Sequence, residues 1–215
     1  MSAAPRRRTA ILISGRGSNM AAVLDAAVAA DYPAQIVLVL SNRPGAVGLE
    51  RAASAGVATL VIDHKGYKDR AGFDAALDAA LEAAGVELVV LAGFMRLLTP
   101  QFTLKWLGRM INIHPSLLPS FKGVHVHEQA LAAGVRFSGC TVHFVTADMD
   151  AGPIIGQAVV PAVPGEGPDD LAARTLAAEH RLYPAAVALV AAGRARLDGG
   201  RTVYDGDAWT AVTLT

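Results

Sequence analysis

Apolar, β-branched runs that alternate with helical periods predict an α/β protein: a doubly wound, mostly parallel sheet with a C-terminal hairpin. Three observations carry this expectation. The first half of the chain repeats strand–helix–strand, an order that right-handed crossovers turn into a parallel sheet. The first apolar run enters a glycine turn, Ser14-Gly-Arg-Gly-Ser-Asn19, and then a helix. Finally, 215 residues are enough to bury one substantial core, so a single domain over 1–215 is expected.

Taken in order, strands are expected at 9–14, 36–41, 59–63, 88–92, 110–113, 140–146 and 154–160. Helices are expected at 19–30, 48–55, 68–84, 99–106, 128–133 and 169–192. Gly85 stops the third helix. Pro168 followed by Asp169 and Asp170 starts the last one, with acidic side chains at its positive end. Pro184 falls inside that helix and should kink or break it. The tail 196–214 places Asp198-Gly-Gly200 between two short β-like runs, the pattern of a terminal hairpin.

Composition excludes several classes. Nineteen Lys and Arg balance nineteen Asp and Glu, so no polyanion such as DNA or RNA is indicated as a partner. Arg6-Arg7-Arg8 reads as a solvated basic terminus. The apolar run after it is too short for a signal peptide or a membrane span. The single cysteine, Cys140, forms no internal disulfide or cysteine-pair zinc site and reads as a small core residue of an alternating strand. A protein of a reducing, cytoplasmic compartment is expected.

The chemistry concentrates in three places. In Ile111-Asn-Ile-His-Pro115, Asn112 and His114 are two apart in an extended run, so they share a face, and Pro115 ends the strand. An amide donor beside a titratable imidazole suits carbonyl transfer, one group stabilising an oxyanion and the other moving a proton. Asp150, in the turn Asp150-Ala-Gly-Pro153, could meet His114 if the strands preceding each are neighbours. The third place is the first loop, where Gly15 and Gly17 expose backbone amides at a helix start and favour an anion. Met20 stands where a dinucleotide fingerprint needs a third glycine, strand two ends in Ser41-Asn42-Arg43 without an acid, and no Gly-Lys-Ser/Thr is present. A monophosphate therefore fits better. His125 and His127, on one face of an extended segment, with His114 and His143 nearby in sequence, offer no diagnostic zinc spacing, so no metal is expected. Ser116 lies outside any Gly-x-Ser-x-Gly elbow.

Taken together, these segments resemble the phosphoribosylglycinamide formyltransferases, folate-dependent enzymes of purine synthesis. The matching residues are 12–19, 48–52, 90–98, 112–119, 123–125, 142–146 and 150–153, with Glu179-His180 and the terminal hairpin. The resemblance implies a Rossmann-like formyltransferase fold. It assigns the ribonucleotide phosphate to Gly17, Ser18 and Asn19, and the ribose or amine end to Glu179. It assigns the folate to Arg70, Met95, Arg96, Leu97, Leu98 and Asn112, and catalysis to Asn112, His114 and Asp150. The donor, 10-formyltetrahydrofolate, is consumed as a co-substrate, and a monomer or homodimer is implied. The additional domains of methionyl-tRNA formyltransferase and formyltetrahydrofolate hydrolase are not expected. Val124 and Ala151 replace a common leucine and a common glycine, the second beside the acid. A formyltransferase acting on a sugar nucleotide and a non-catalytic nucleotide sensor are the competing readings.

Overall fold

The computed structural model describes residues 5–215, and its frame is an eight-stranded sheet. Its strands are β1 (Arg7–Ile13), β2 (Ala34–Ser41), β3 (Ala58–Val61), β4 (Leu88–Leu91), β5 (Met110–His114), β6 (Phe137–Phe144), β7 (Ile154–Pro161) and β10 (Thr213–Leu214). The spatial order is β10-β7-β6-β5-β4-β1-β2-β3. All pairs are parallel except β5–β6 and β6–β7, so β6 alone runs against its neighbours.

Alternation in the central strands follows from burial on both faces. Ile11, Ile13, Leu88 and Val90 enter one core, with helices α1 (Ser18–Ala27) and α6 (Pro168–Ala191). Ala10, Leu12, Val89 and Leu91 enter the other, with α3 (Arg70–Ala83) and α4 (Pro100–Lys105). Two short helices, α2 (Gly48–Ser54) and α5 (Val126–Ala132), complete the expected set. No helix among the described residues is long and apolar enough to cross a membrane.

Three expectations are corrected. The basic run 6–8 is not a free terminus. The Arg6, Arg7 and Arg8 guanidiniums donate to the carbonyls of Ala27, Val190 and Ala84, at the carboxyl ends of α1, α6 and α3. Those carbonyls have no partner within their helices and carry the negative end of the dipole, which a cation offsets. Pro184 does not break α6, which is continuous through it. Leu182, Tyr183, Ala186 and Val187 on either side are fully buried, and that packing outweighs one missing helical hydrogen bond. The tail divides: β8 (Ala195–Asp198) and β9 (Arg201–Tyr204) form the hairpin around Gly199 and Gly200, both with positive φ. Residues Thr213 and Leu214 instead join the edge of the main sheet as β10.

The α6 helix is fastened to the sheet's centre by one phenol. The fully buried Tyr183 hydroxyl donates to the Leu91 carbonyl at 2.8 Å and lies 3.4 Å from that of Ile111. Tyr183→Phe leaves these carbonyls without that donor. It is expected to cost about 1–2 kcal/mol, a drop of roughly 2–8 °C in Tm by thermal unfolding, with the far-UV spectrum unchanged.

Candidate active site

The site is assembled where β1, β4 and β5 end. Asn112 and His114 project from one face of β5, and the antiparallel register sets His143 of β6 directly opposite Asn112. Phe144, the last residue of β6, lies opposite Ile111, away from the carboxyl end of β5. Because β6 is reversed, its carboxyl end points away from that of β5. The loop after β6 instead folds back along the sheet and brings Asp150 Oδ2 to 3.5 Å from His114 Nδ1. The same oxygen accepts from the Gly123 amide at 3.0 Å.

Asp150 itself takes the left-handed conformation, with φ 49°, which an aspartate tolerates better than most residues. Ala151 has no positive φ, so replacing the common glycine there strains nothing. The glycine this turn requires is Gly152, where a Cβ would lie 1.7 Å from the Phe144 carbonyl oxygen.

Hydrogen bonding fixes the orientation of both side chains of β5. His143 Nδ1 donates to the Phe144 carbonyl at 2.9 Å, and burial lowers the ring's pKa below the usual histidine range. The ring is thus neutral, and its Nε2 lone pair accepts from Asn112 Nδ2 at 3.2 Å. That leaves the second Asn112 N–H free to donate. His114, buried, donates from Nε2 to the Phe121 carbonyl at 2.9 Å while Nδ1 faces the carboxylate. Both ring nitrogens face oxygen acceptors, so a doubly protonated imidazole has a partner for each proton.

The first loop forms a second wall. Gly17 caps α1 with φ 67°, a conformation that favours glycine, and a Cβ there would press on Met20 and Gly48. With no side-chain cap, the first-turn amides of α1 face a cavity of about 320 Å³. Ser14 to Asn19, Arg43, Gly93 and Met95 line it. Asn19 Nδ2 donates to Glu179 Oε2 at 2.7 Å, and burial raises that carboxyl's pKa to about 7, partly offset by this hydrogen bond. Asn19 Oδ1 is buried with no partner.

The segment expected to line the folate pocket lies beside the loop, with Met95 and Leu97 exposed and Arg96 and Leu98 half-buried. Arg70, exposed, is the first residue of α3. One turn on, Phe73 stacks against Phe94 at 6.4 Å, and Asp74 accepts from the Thr99 amide. Arg70 therefore stands on the helix that supports the segment, and it makes no contact with the trio. The extended segment expected at 125–127 is instead a helix start, where residues two apart diverge. His125 turns to Glu128 at 3.4 Å, while burial lowers the pKa of His127. Among the described residues no three His, Cys, Asp or Glu side chains are grouped to hold a metal ion.

Three contributors were missed in the sequence. In the sequence His143 stands out only as a possible metal ligand, and Asn42 and Arg43 only as the end of strand two. The available signal for His143 was its place in an alternating strand, but its partner depends on a register that only the fold supplies.

Comparison with known proteins places this geometry in a family. Residues 7–187 match the family described as formyl transferase. The chain is 42% identical over 196 residues to phosphoribosylglycinamide formyltransferase of Escherichia coli (strain K12), covering 91% of this chain and 92% of that protein. It is 51% identical over 200 residues to the trifunctional purine biosynthetic protein adenosine-3 of Bos taurus, spanning only 20% of that relative's length. The crystal structure of glycinamide ribonucleotide transformylase 1 from Symbiobacterium toebii superposes with a TM-score of 0.90 at 48% identity, covering 94% and 95% of the two chains.

The raised pKa of Glu179 generates a pH prediction. In the unfolded chain this carboxyl ionises near its ordinary value of 4.5, whereas the folded protein holds its proton to about 7. The unfolded state thus binds fewer protons between these values, and stability falls as pH rises through that window. Glu179→Gln removes the titrating group. Urea unfolding at about pH 5 and about pH 8 is expected to show a fall of up to about 3 kcal/mol in the parent that the variant lacks.

Proposed function

The chain belongs to the formyl transferase family and, within it, to the phosphoribosylglycinamide formyltransferases, and we propose that it transfers the formyl group of 10-formyltetrahydrofolate to the amine of 5'-phosphoribosylglycinamide. The observation that carries this reading is the placement of Asn112 and His114 on one face of β5 with Asp150 against the imidazole. Formyl transfer needs an oxyanion acceptor site and a route for one proton, and these groups supply both.

The chemistry follows from their geometry. The amine nitrogen attacks the formyl carbon, forming a C–N bond and leaving negative charge on the formyl oxygen. The free N–H of Asn112 and the Nε2 proton of His114 stabilise that oxygen, which competes with the Phe121 carbonyl for the histidine's proton. The bond to the folate N10 then breaks, and the proton lost by the amine is delivered to N10 through His114 or a water. Asp150 faces the imidazole at Nδ1 and holds the ring in place while its charge changes. His143 positions Asn112, which acts on the oxyanion.

The same reading divides binding between the two walls. Gly17, Ser18 and Asn19 take the ribonucleotide phosphate on the amides of the α1 start. Glu179, bonded to Asn19, takes the ribose or amine end. Met95, Arg96, Leu97 and Leu98 take the pterin on backbone groups, with Asn112 contacting the formyl end and Arg70 on the supporting helix meeting the donor's tail. Both ligands are substrates.

The test is absorbance-monitored release of deformylated folate. Release is expected only when the ribonucleotide is present. Release without it would indicate a hydrolase, and none under either condition would move the reading to another acceptor. Asn112→Ala and His114→Ala are each expected to lower kcat by about 100- to 1000-fold. Ser18→Ala should raise KM for the ribonucleotide alone. A near-parental kcat in either β5 variant would overturn the catalytic assignment.

A further inference from the structure

Ser14 joins the two walls of the site through a buried bond network. It is the last residue before the glycine turn, and its amide donates to the Gly93 carbonyl at 3.1 Å. Its hydroxyl accepts from the Met95 amide at 2.7 Å and donates to Asn42 Oδ1 at 2.5 Å. Asn42 is fully buried at the end of β2, and its carbonyl accepts from His64 Nδ1 at 2.8 Å. One hydroxyl therefore fixes the entry to the phosphate-facing loop and the start of the 95–98 segment, with the end of β2 as its anchor.

The hydroxyl is specifically required for this arrangement. A hydroxyl can accept and donate at once, whereas a lone acceptor satisfies only one partner and a methyl neither. Without it, the Met95 amide loses its partner, the Asn42 amide oxygen loses its partner in a buried setting, and the segment is free to shift. The neighbouring Gly15 carbonyl accepts from the Gly48 amide, so the loop is held from its other side by backbone alone. Ser14 is thus the side-chain link between β1, β2 and β4 at this end of the sheet.

We propose that Ser14, anchored by Asn42, is a positioning residue for both substrates at once. It sets the distance between the amides that hold the phosphate and the backbone that reads the folate. The assignment of ligands to the two walls rests on the function proposed above, while the mechanical link does not. Ser14→Ala is therefore expected to raise KM for both substrates by roughly three- to tenfold, with kcat within about twofold. Ser18→Ala, in contrast, should affect the ribonucleotide alone.

The experiment pairs those kinetics with amide hydrogen exchange in the protein without substrates. Ser14→Ala is expected to speed exchange across 93–98 by at least about threefold while α6 and β5 stay protected. Unchanged exchange at Met95 would overturn the link, whatever the enzyme's substrates prove to be. Faster exchange with a KM change confined to one substrate would overturn the joint positioning. If the parent protein transfers no formyl group, the exchange result alone decides the mechanical part, which separates failure of the link from failure of the functional reading. Should Ser14→Ala not fold, Ser14→Cys carries the same comparison, since a thiol fills the site with a slightly larger group that donates and accepts weakly.

Discussion

The register between β5 and the reversed strand β6 is the constraint on which the site depends. It sets Asn112 against His143 and His114 against Thr141. A slip of one residue would turn every side chain of β6 to the other face. Thr141 helps to prevent this by bonding through its hydroxyl with the Ser116 carbonyl, the Leu118 amide and the Gln157 side chain. Gly139 lets β7 close on the other side of β6, because a Cβ there would lie 1.9 Å from the Ala158 carbonyl oxygen. The register therefore fixes the chain after β5 as well as the strand itself, and the loop carrying Asp150 inherits its place.

The polar groups of the site are buried, and each carries a cost that a specific partner offsets. Burial lowers the pKa of His143, and each of its ring nitrogens has a hydrogen-bond partner. Glu179 keeps a proton through much of the acid range for the same reason. Asn42 and Ser14 satisfy one another. Ligand-facing groups held this way need little reorganisation when charge develops, which is the main advantage of a preformed site. The unpartnered Asn19 Oδ1 is the exception, and it lies in the wall assigned to the ribonucleotide.

How much of this could be read in advance follows from the range of the interactions. Local period and turn chemistry indicated β1 to β7 and the six α-helices, because each is set within a few residues, while the pairing of β10 with β7 is long-range. The Asn112–His114 pair was legible because residues two apart in a strand share a face. Asp150 was legible only conditionally, since its contact needs β5 and β6 to be neighbours. His143 and Asn42 were not legible as site residues, because cross-strand partners depend on strand order and direction. The arginines at 6–8 were misread for a related reason: the helix ends they cap lie about 20 to 180 residues away. The break expected at Pro184 does not occur, because the core packs on both sides of it.

The same frame accounts for why a sheet of the dinucleotide-binding type would serve a different ligand here. Met20, in place of a third glycine, is fully buried and packs beside Gly17. The end of β2, where a ribose-binding acid would stand, is occupied by Asn42, whose side chain is already committed to Ser14. The first crevice is therefore suited to a phosphate and lacks a ribose-reading carboxylate on that side. The buried carboxyl that is present, Glu179, reaches the loop from α6 on the opposite flank, next to Asn19. A ligand with its phosphate on the α1 start would thus extend past Glu179 toward β5, where Asn112 and His114 lie. Under the proposed assignment a second ligand would approach from the 95–98 side, since that segment follows β4, which lies between β1 and β5 in the sheet.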